Sequence, residues 1–298
     1  MYDVIIVGGG PAGMTAALYS LRNGKTALVI EKTGFGGQIT YSPKVENYPG
    51  TISMSGNEFA EHMLDQIMAQ GADVELAEVT EVLPGAPCIV KTDDGNSYES
   101  KTVILATGVK HRMLGLPGEE LAVGNGISFC AVCDGDFFKG QTVVVAGGGN
   151  SALQEAILLA GKCKKVIVLQ DLPRFTGEQK LVDILTAKPN VETHTGVKIT
   201  GLNVTEDGHF LGVQTSAGDF ACDGMFEAIG LIPENDNFKG IADLNDLGYF
   251  DSAEDCRTKT PCVFVAGDAR SKRIRQITTA VSDGAVAAMA ACNFIDGN

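Results

Sequence analysis

The stretch VIIVGGGPAGMTAALYSLRNGKTALVIEK, residues 4–32, decides the fold. Its β-branched start predicts a buried strand, the glycines predict a turn, and the rest predicts an amphipathic helix followed by a second apolar strand. The stretch VVVAGGGNSALQEAILLAGKCKKVIVLQD, residues 143–171, aligns with it without a gap, with Glu155 over Ala16. The chain therefore contains two βαβ units of the nucleotide-binding kind.

The 298 residues are enough for two domains that each bury a core of their own. Two further apolar runs, TVILAT from Thr102 and CVFVAGD from Cys262, favour parallel sheets flanked by helices, which is the α/β class. Loops rich in Gly and Pro bracket the second βαβ copy. We therefore predict two Rossmann-like dinucleotide-binding domains, with residues 113–241 inserted between residues 1–112 and 242–298.

Composition argues against several classes of partner. The chain has 23 basic and 37 acidic residues, and its net charge of −14 repels nucleic acid and anionic membrane surfaces. The N-terminus MYDVIIVGGG lacks the positive region of a secretory signal, and the apolar stretch GAVAAMAACNFI is too short to cross a bilayer. We expect a cytoplasmic protein without a nucleic-acid or membrane partner. Because thiols stay reduced in that compartment, only an unusually placed cysteine pair is expected to be redox-active or metal-binding.

The first glycine turn has the spacing of a dinucleotide site. Gly8, Gly10 and Gly13 follow the GxGxxG pattern, which gives a tight turn, close approach of the backbone to a pyrophosphate and close helix packing. Glu31 ends the next strand, where a carboxylate binds ribose hydroxyls. Strand, glycines, helix, strand and acid in this order predict a dinucleotide site.

The second copy differs where a nucleotide would be recognised. Ala152 replaces the third glycine, which the turn tolerates, but Gln170 stands in the position of Glu31 and Asp171 follows it. The 2′-phosphate of NADPH calls for arginine at this strand end, and the ribose of NADH calls for an acid. The sequence meets neither requirement fully.

The segment CAVCDG contains two cysteines three residues apart, Cys130 and Cys133, followed by Asp134. A structural zinc site needs four ligands, yet the chain has no second CxxC and no histidines paired at ligand spacing. We therefore predict no metal. A purely structural disulfide is unusual in the cytosol. The pattern favours a dithiol that exchanges electrons, one thiolate attacking a partner disulfide and the other resolving the mixed disulfide.

Motifs along the whole chain resemble those of the low-molecular-weight thioredoxin reductases: GGGPAG at Gly8, GGQIT at Gly36, VENYPG at Val45, ATG at Ala106, CAVCDG at Cys130, GGGNSA at Gly147, AIG at Ala228, VAGD at Val265 and RQITTA at Arg275. The resemblance implies that residues 1–112 and 242–298 bind FAD, and that residues 113–241 carry the redox CxxC on a degenerate pyridine-nucleotide-type fold. The residues that match the family's FAD contacts are Gly8, Gly10, Pro11, Ala12, Gly13, Glu31, Gly37, Gln38, Asn47, Thr107, Gly108, Asp268, Arg275, Gln276 and Ala280.

The resemblance also implies roles at the dithiol. It implies a redox disulfide between Cys130 and Cys133, with Cys133 next to the flavin and Cys130 attacking thioredoxin. Asp134 matches the family's general acid, which protonates a leaving thiolate; the alternative is that Asp134 caps a turn at Gly135. A homodimer is implied as well. A sulfur against a buried ring cannot also contact a client protein, so we expect the inserted domain to rotate about linkers near residues 110–118 and 230–238.

The electron donor stays open between three classes. Members that use NADPH carry HRRxxxR after the second strand, whereas this chain reads QDLPRFT, with Arg174 as the one arginine. Asp171 could serve NADH, but the pattern favours a donor that is not a pyridine nucleotide, as in the ferredoxin-dependent flavin thioredoxin reductases. The segment RSKRIR at Arg270 could dock an acidic carrier or could be a solvated loop that partly neutralises FAD phosphates. A small-molecule dithiol oxidase is a further alternative, although such members carry His where this chain has Asp134.

Overall fold

The structure, a computed structural model, describes residues 1–297. They divide into two compact units, one formed by Met1–Lys110 with the segment that begins at Ile232, the other by His111–Leu231. The boundaries predicted from the sequence are 112/113 and 241/242. The return boundary lies earlier because Phe238, Ile241 and Ala242 are buried in the core of the first unit.

The helices and strands of the described residues are β1 Tyr2–Val7, α1 Pro11–Arg22, β2 Ala27–Glu31, α2 Gly56–Ala69, β3 Asp73–Leu76, β4 Val79–Leu83, β5 Cys88–Thr92, β6 Ser97–Leu105, β7 Lys110–His111, α3 Glu119–Ala122, β8 Ile127–Ser128, α4 Ala131–Asp134, β9 Thr142–Ala146, α5 Asn150–Ala160, β10 Lys165–Gln170, α6 Gln179–Thr186, β11 Val191–Thr195, β12 Ile199–Val204, β13 Phe210–Thr215, β14 Gly218–Ala221, β15 Gly224–Glu227, β16 Leu231–Ile232, β17 Val263–Val265 and α7 Ile277–Asp296.

The sheet of the first unit has the order β3-β2-β1-β6-β5-β4, with β17 also paired to β6. Strands β3, β2, β1, β6 and β17 run parallel, and β5 and β4 extend the sheet antiparallel. Because the carboxyl ends of parallel strands share one edge, the residues that follow β1, β2, β6 and β17 are brought together there.

Both faces of this sheet are buried, which explains why the last four residues of β1, Val4 to Val7, are all apolar. Val4 and Ile6 face one core, which includes the alanines of α1 and α7, whereas Ile5 and Val7 face a second core. Helices α1 and α7 approach closely at Gly284, where an added Cβ would lie 2.2 Å from the Ala12 carbonyl oxygen. Full burial of each such Val or Ile contributes about 1.5–3 kcal/mol.

The second unit repeats this arrangement. Its parallel sheet has the order β11-β10-β9-β15-β8, and an antiparallel sheet β12-β13-β14 is added to it. The pairing of Val143 with Val166 reproduces that of Val4 with Ala27, as the gap-free alignment requires. The predicted α/β class with two Rossmann-like folds is confirmed. No helix within residues 1–297 combines the length and the hydropathy needed to cross a bilayer.

Candidate functional site

The first glycine turn has no room for side chains. Gly8 has φ +109°, and a Cβ there would lie 2.3 Å from the Ala106 carbonyl oxygen; a Cβ on Gly13 would lie 1.9 Å from the Gly8 oxygen. Helix α1 then begins at Pro11 with Gly10 as N-cap and without a side-chain cap. The backbone N–H groups of the first helical turn are therefore available to an anion.

Glu31 lies where the strand–turn–strand pattern predicts it. It ends β2 and is 9 % exposed, and its Oε2 accepts the N–H of Gly9 at 2.7 Å. Its Oε1 accepts the N–H of Thr33 at 2.9 Å. The carboxylate is thus fixed beside the glycine turn.

The loops of the first unit bring further predicted residues to the same edge. The Gly36 N–H donates to Gly9 O at 2.9 Å, and a 3₁₀ turn from Gly37 to Tyr41 contains Gln38. Asn47 Nδ2 donates to Gln276 Oε1 at 3.1 Å, which joins this loop to the start of α7. Ala280 is buried one turn further along α7.

Thr107 and Gly108 follow β6 at this edge. The Thr107 hydroxyl donates to Asn235 Oδ1 at 2.7 Å, and Gly108 has φ +67°. Asn235 is 1 % exposed and was not found from the sequence, because its partner is distant along the chain. It fixes the side chain that follows the central strand.

Asp268 is a half-buried residue just after the end of β17, and its carboxylate oxygen Oδ1 is buried. Burial raises its pKa, and no hydrogen bond reaches its buried Oδ1, although Lys272 Nζ lies 3.4 Å away. The preceding Gly267 contacts the start of α1 so closely that a Cβ there would lie 2.7 Å from Ala12 Cβ. A buried oxygen without a hydrogen bond, next to this helix N-terminus, suits a polar group of a ligand.

The basic segment RSKRIR differs from the exposed cluster considered above. Arg270 is 4 % exposed and pairs with Asp283 at 2.8 Å, and Lys272 pairs with the same carboxylate at 3.0 Å. The Arg275 guanidinium lies 4.3 Å from the ring centroid of Tyr249 and donates to Asp268 O at 3.2 Å. Three of the four cations of the segment are thus engaged within the protein, and Arg273 alone is exposed.

The second glycine turn keeps the backbone geometry and loses the recognition group. Gly147 has φ +127°, as Gly8 has a positive φ. Gln170 Nε2, however, donates to the carbonyl oxygen of Arg174 at 3.4 Å. The N–H groups of Thr176 and Gly177 both donate to Gly148 O, so this loop lies directly on the glycine turn. The open cleft beside it has a volume of about 520 Å³ and is lined by Arg174, Phe175, Thr176, Gly177, Gln179, Val182 and Thr195.

The two predicted redox cysteines are joined at the start of α4. Cys130 is the N-cap residue, its Sγ accepts the Cys133 N–H at 3.2 Å, and the two sulfurs form a disulfide with a Cα–Cα distance of 5.3 Å. Both cysteines are partly exposed. Among residues 1–297 no group of three or more metal-ligating side chains is assembled.

Asp134 is buried directly after Cys133. The Ser128 hydroxyl donates to Asp134 Oδ2 at 2.6 Å and accepts the N–H of Cys130 at 3.1 Å. Asp134 is the N-cap of the next 3₁₀ turn, but its side chain makes no capping hydrogen bond there. This geometry disfavours the capping alternative and connects the carboxylate to the first cysteine through one hydroxyl.

Four more residues near the dithiol were missed by sequence reasoning. Ser128 gave no signal, because its role depends on the turn that places it. The rings of His111 and Phe129 stack with centroids 4.4 Å apart, and burial lowers the His111 pKa to about 4, which keeps the ring neutral. Glu155 did give a signal, an acid where the first repeat has Ala16.

Comparisons with known proteins agree with this geometry. The profile of the family described as pyridine nucleotide-disulphide oxidoreductase matches residues 2–284. The chain is 37 % identical to a thioredoxin reductase of Listeria monocytogenes over 306 residues, covering 99 % of this chain and 94 % of the relative. It is 36 % identical to a 34.2 kDa protein in the rubredoxin operon of Clostridium pasteurianum, covering 99 % and 97 %.

A solved structure extends this agreement to three dimensions. The thioredoxin reductase of Streptococcus pyogenes superposes with a TM-score of 0.93 at 37 % identity, covering 100 % of this chain and 99 % of that one. The profile and the full-length relatives lead to one conclusion. The chain belongs to the pyridine nucleotide-disulphide oxidoreductase family, among its low-molecular-weight thioredoxin reductases.

Proposed function

We propose that the protein is an FAD-dependent reductase that passes electrons through the Cys130–Cys133 pair to thioredoxin, and that its donor is ferredoxin rather than NADPH. The observation that carries the proposal is the dithiol at the start of α4 with the Ser128–Asp134 hydrogen bond beside it. A helix start favours a thiolate, and the buried carboxyl is a proton donor for leaving sulfur.

The first unit fits FAD. The uncapped start of α1 suits the pyrophosphate, Glu31 suits the ribose and the buried Asp268 oxygen suits a hydroxyl of the ribityl chain. FAD supplies the exchange of an electron pair with sulfur. The residues proposed to hold it are Gly8, Gly10, Pro11, Ala12, Gly13, Glu31, Gly37, Gln38, Asn47, Thr107, Gly108, Asp268, Arg275, Gln276 and Ala280.

In the proposed exchange the reduced dithiol reduces the disulfide of thioredoxin, the client protein. The Cys130 thiolate attacks one sulfur of the thioredoxin disulfide, a mixed disulfide forms, and the second client sulfur leaves as a thiolate. Cys133 then attacks the Cys130 sulfur, which restores the intramolecular disulfide and releases the other client sulfur. Asp134 protonates a leaving thiolate, so that two electrons and two protons pass to the client. The next electron pair then reduces the Cys130–Cys133 disulfide back to the dithiol.

The proposal for the donor rests on the second unit. Gln170 offers no carboxylate to an NADH ribose, the next residue Asp171 is exposed, and the single Arg174 is a weak site for a 2′-phosphate. Plant-type ferredoxins lie near about −400 mV and thioredoxin near about −270 mV, a drop worth about 6 kcal/mol for two electrons. The relative in a rubredoxin operon also supports a protein electron carrier. The pairing of Arg270 and Lys272 with Asp283 argues against RSKRIR as the docking surface for an acidic carrier.

The test is an anaerobic titration of the yellow protein with NADPH, NADH and reduced ferredoxin, each followed by addition of oxidised thioredoxin. Reduced ferredoxin is expected to bleach the flavin absorbance, and thioredoxin to restore it. The Cys130→Ser variant is the matched control, because its flavin should bleach without turnover. If low concentrations of NADPH bleach the flavin, the proposal of ferredoxin as donor is overturned. If NADH bleaches it, the result supports the alternative of an NADH-dependent enzyme that uses Asp171. Oxygen consumption with small dithiols, without thioredoxin reduction, supports the oxidase alternative.

Two further expectations belong to the same proposal. We propose a homodimer in the cytoplasm, as the family resemblance implies. Sedimentation equilibrium of the flavin-loaded protein tests the first, since a dimer has twice the 31.2 kDa of the chain. Fractionation of the cells that make the protein tests the second.

A further inference from the structure

One face of helix α5 supports the dithiol segment. Three side chains follow each other at the spacing of successive helical turns: Glu155, Leu159 and, just past the helix, Lys162. The Glu155 carboxyl lies beside the backbone N–H of Ala131, which favours its charged form. Leu159 Cδ2 lies 3.2 Å from the place that a Cβ on Gly135 would take, and Lys162 Nζ lies 2.9 Å from Asp136 Oδ1. The segment from Ala131 to Asp136 therefore rests on this face.

Glu155 is the unusual member of this face. Its Oε2 is buried and has no hydrogen-bond partner. Burial raises its pKa to about 7, against the opposing effect of the Ala131 N–H. A carboxyl that loses its hydration without full pairing costs free energy, and the first repeat has Ala16 in the same place. A contribution to the stability of the contact between α4 and α5 therefore does not explain why a glutamate stands at position 155.

The elements that pack against α5 carry few charged or titratable groups. Helix α4 contributes the two cysteines and Asp134, the next turn contributes Asp136, which is paired with Lys162, and α6 carries Lys180 and Asp183, which are exposed. Of these, the cysteines change charge with redox state, because a disulfide is neutral and a dithiol can carry a thiolate.

We propose that Glu155 is a positioning residue of the dithiol: in its neutral form it holds the Ala131 amide beside the thiolate of the reduced pair, and its ionised form disfavours that thiolate. The proposal rests on the proposed function in so far as the dithiol is the redox centre. Two acids that interact in this way titrate together, so the reduced pair should ionise over a broader pH range than one thiol does. Reduction of the disulfide should also favour the protonated form of Glu155.

The test measures the reduced protein alone, without donor or thioredoxin. The protein is reduced with dithiothreitol, desalted, and mixed with 5,5′-dithiobis(2-nitrobenzoate) in a stopped-flow instrument between pH 5.5 and 8.5. The six other cysteines are buried, so the fast phase reports the dithiol. In the variant Glu155→Gln the pH–rate curve is expected to follow a single ionisation with its midpoint about half a pH unit lower than in the wild type. The variant Gln154→Glu, with its added carboxyl on the exposed side of α5, should keep the wild-type midpoint.

Two results would overturn the proposal. Curves of the wild type and Glu155→Gln that differ by a constant factor at every pH would mean a purely structural role and overturn the proposal. A second readout uses no variant: the infrared difference spectrum of reduced minus oxidised wild type should gain the band of a protonated carboxyl, and an unchanged carboxyl region overturns the proposal. A protein that shows both effects but never reduces thioredoxin would contradict the proposed function alone.

Discussion

Glu31 accepts the backbone N–H of Gly9 at 2.7 Å, whereas its counterpart in the second unit, Gln170, donates to the backbone oxygen of Arg174. The two glycine turns are alike in strand register and in the positive φ of Gly8 and Gly147. The difference between the units therefore lies in one side chain at the end of the second strand and in the loop that follows it. Two predictions test whether that difference decides which unit binds a dinucleotide.

Replacing Glu31 by Ala should weaken FAD binding. The change removes the acceptor for the Gly9 amide and for the ribose hydroxyls, and hydrogen bonds to a charged group contribute about 1.5–3 kcal/mol, or roughly 10- to 100-fold in affinity. The measurement is flavin content after purification and the dissociation constant from flavin fluorescence. The matched control is Gln170→Ala, which should keep wild-type flavin content. Wild-type affinity in Glu31→Ala would contradict the assignment of the first unit.

Replacing Gln170 by Glu should give the second unit an affinity for NADH. A carboxylate at this strand end can accept the Gly148 N–H as Glu31 accepts that of Gly9, and can then bind ribose hydroxyls. We expect the NADH dissociation constant to fall about tenfold by calorimetry, a change worth about 1.4 kcal/mol. NADPH should gain nothing, because its 2′-phosphate meets a negative charge. If NADH binding is also unchanged, the loop over Gly148 closes the site.

The features that could be predicted from the sequence are those whose geometry depends on residues close together in the chain. The glycine spacing fixes a turn that only glycine can adopt at Gly8 and Gly13, so both βαβ units and their register followed from the alignment. A spacing of three residues likewise lets Cys130 and Cys133 share the start of one helix, as they do at α4. In each case the geometry is imposed within a few residues, so the pattern alone predicts it.

What the sequence could not give depends on contacts between distant segments. Four cations in RSKRIR suggested an exposed site, but Arg270 and Lys272 meet Asp283 of α7, which the fold brings against them. Asn235 contacts Thr107 although the inserted unit separates the two residues along the chain. Such pairs form only when the strands and helices have packed together, and no local periodicity in the sequence indicates them.

Replacing Asp134 by Asn should slow thioredoxin reduction about 10²- to 10³-fold, because the amide cannot protonate a leaving thiolate. Flavin bleaching by the donor should be unaffected. Ser128→Ala should have a smaller effect, about tenfold, because it removes the 2.6 Å hydrogen bond that orients the carboxyl. The measurement is single-turnover oxidation of the reduced protein by thioredoxin.

The exposed Ser97→Ala is the control for Ser128→Ala and should behave as the wild type. The Asp134 assignment is contradicted if Asp134→Asn reduces thioredoxin at the wild-type rate. A wild-type rate in Ser128→Ala alone would show that the carboxyl is oriented by other contacts.

Glu227 should make the protein less stable as the pH rises. It is 2 % exposed, and burial together with the neighbouring Glu119 raises its pKa to about 9. Glu119 itself accepts the N–H groups of Leu114, Gly115 and Leu116 at 2.6, 2.7 and 2.9 Å. The folded protein therefore keeps a proton on Glu227 that the unfolded chain releases above its ordinary pKa near 4.5.

The sign follows from proton linkage. Between about pH 4.5 and 9 the folded state binds one proton more than the unfolded state, so this group's contribution to the free energy of unfolding falls by about 1.4 kcal/mol per pH unit and levels off above pH 9. Glu227→Gln keeps a donor toward Glu119 without the titration, so its stability in urea should fall less steeply between pH 5.5 and 8.5. The exposed control Glu206→Gln should keep the wild-type slope. Equal slopes of unfolding free energy against pH for the wild type and Glu227→Gln would mean that Glu227 is ionised in the folded protein. The three backbone amides that donate to Glu119 would then have to stabilise the Glu119 carboxylate beside a second negative charge on Glu227.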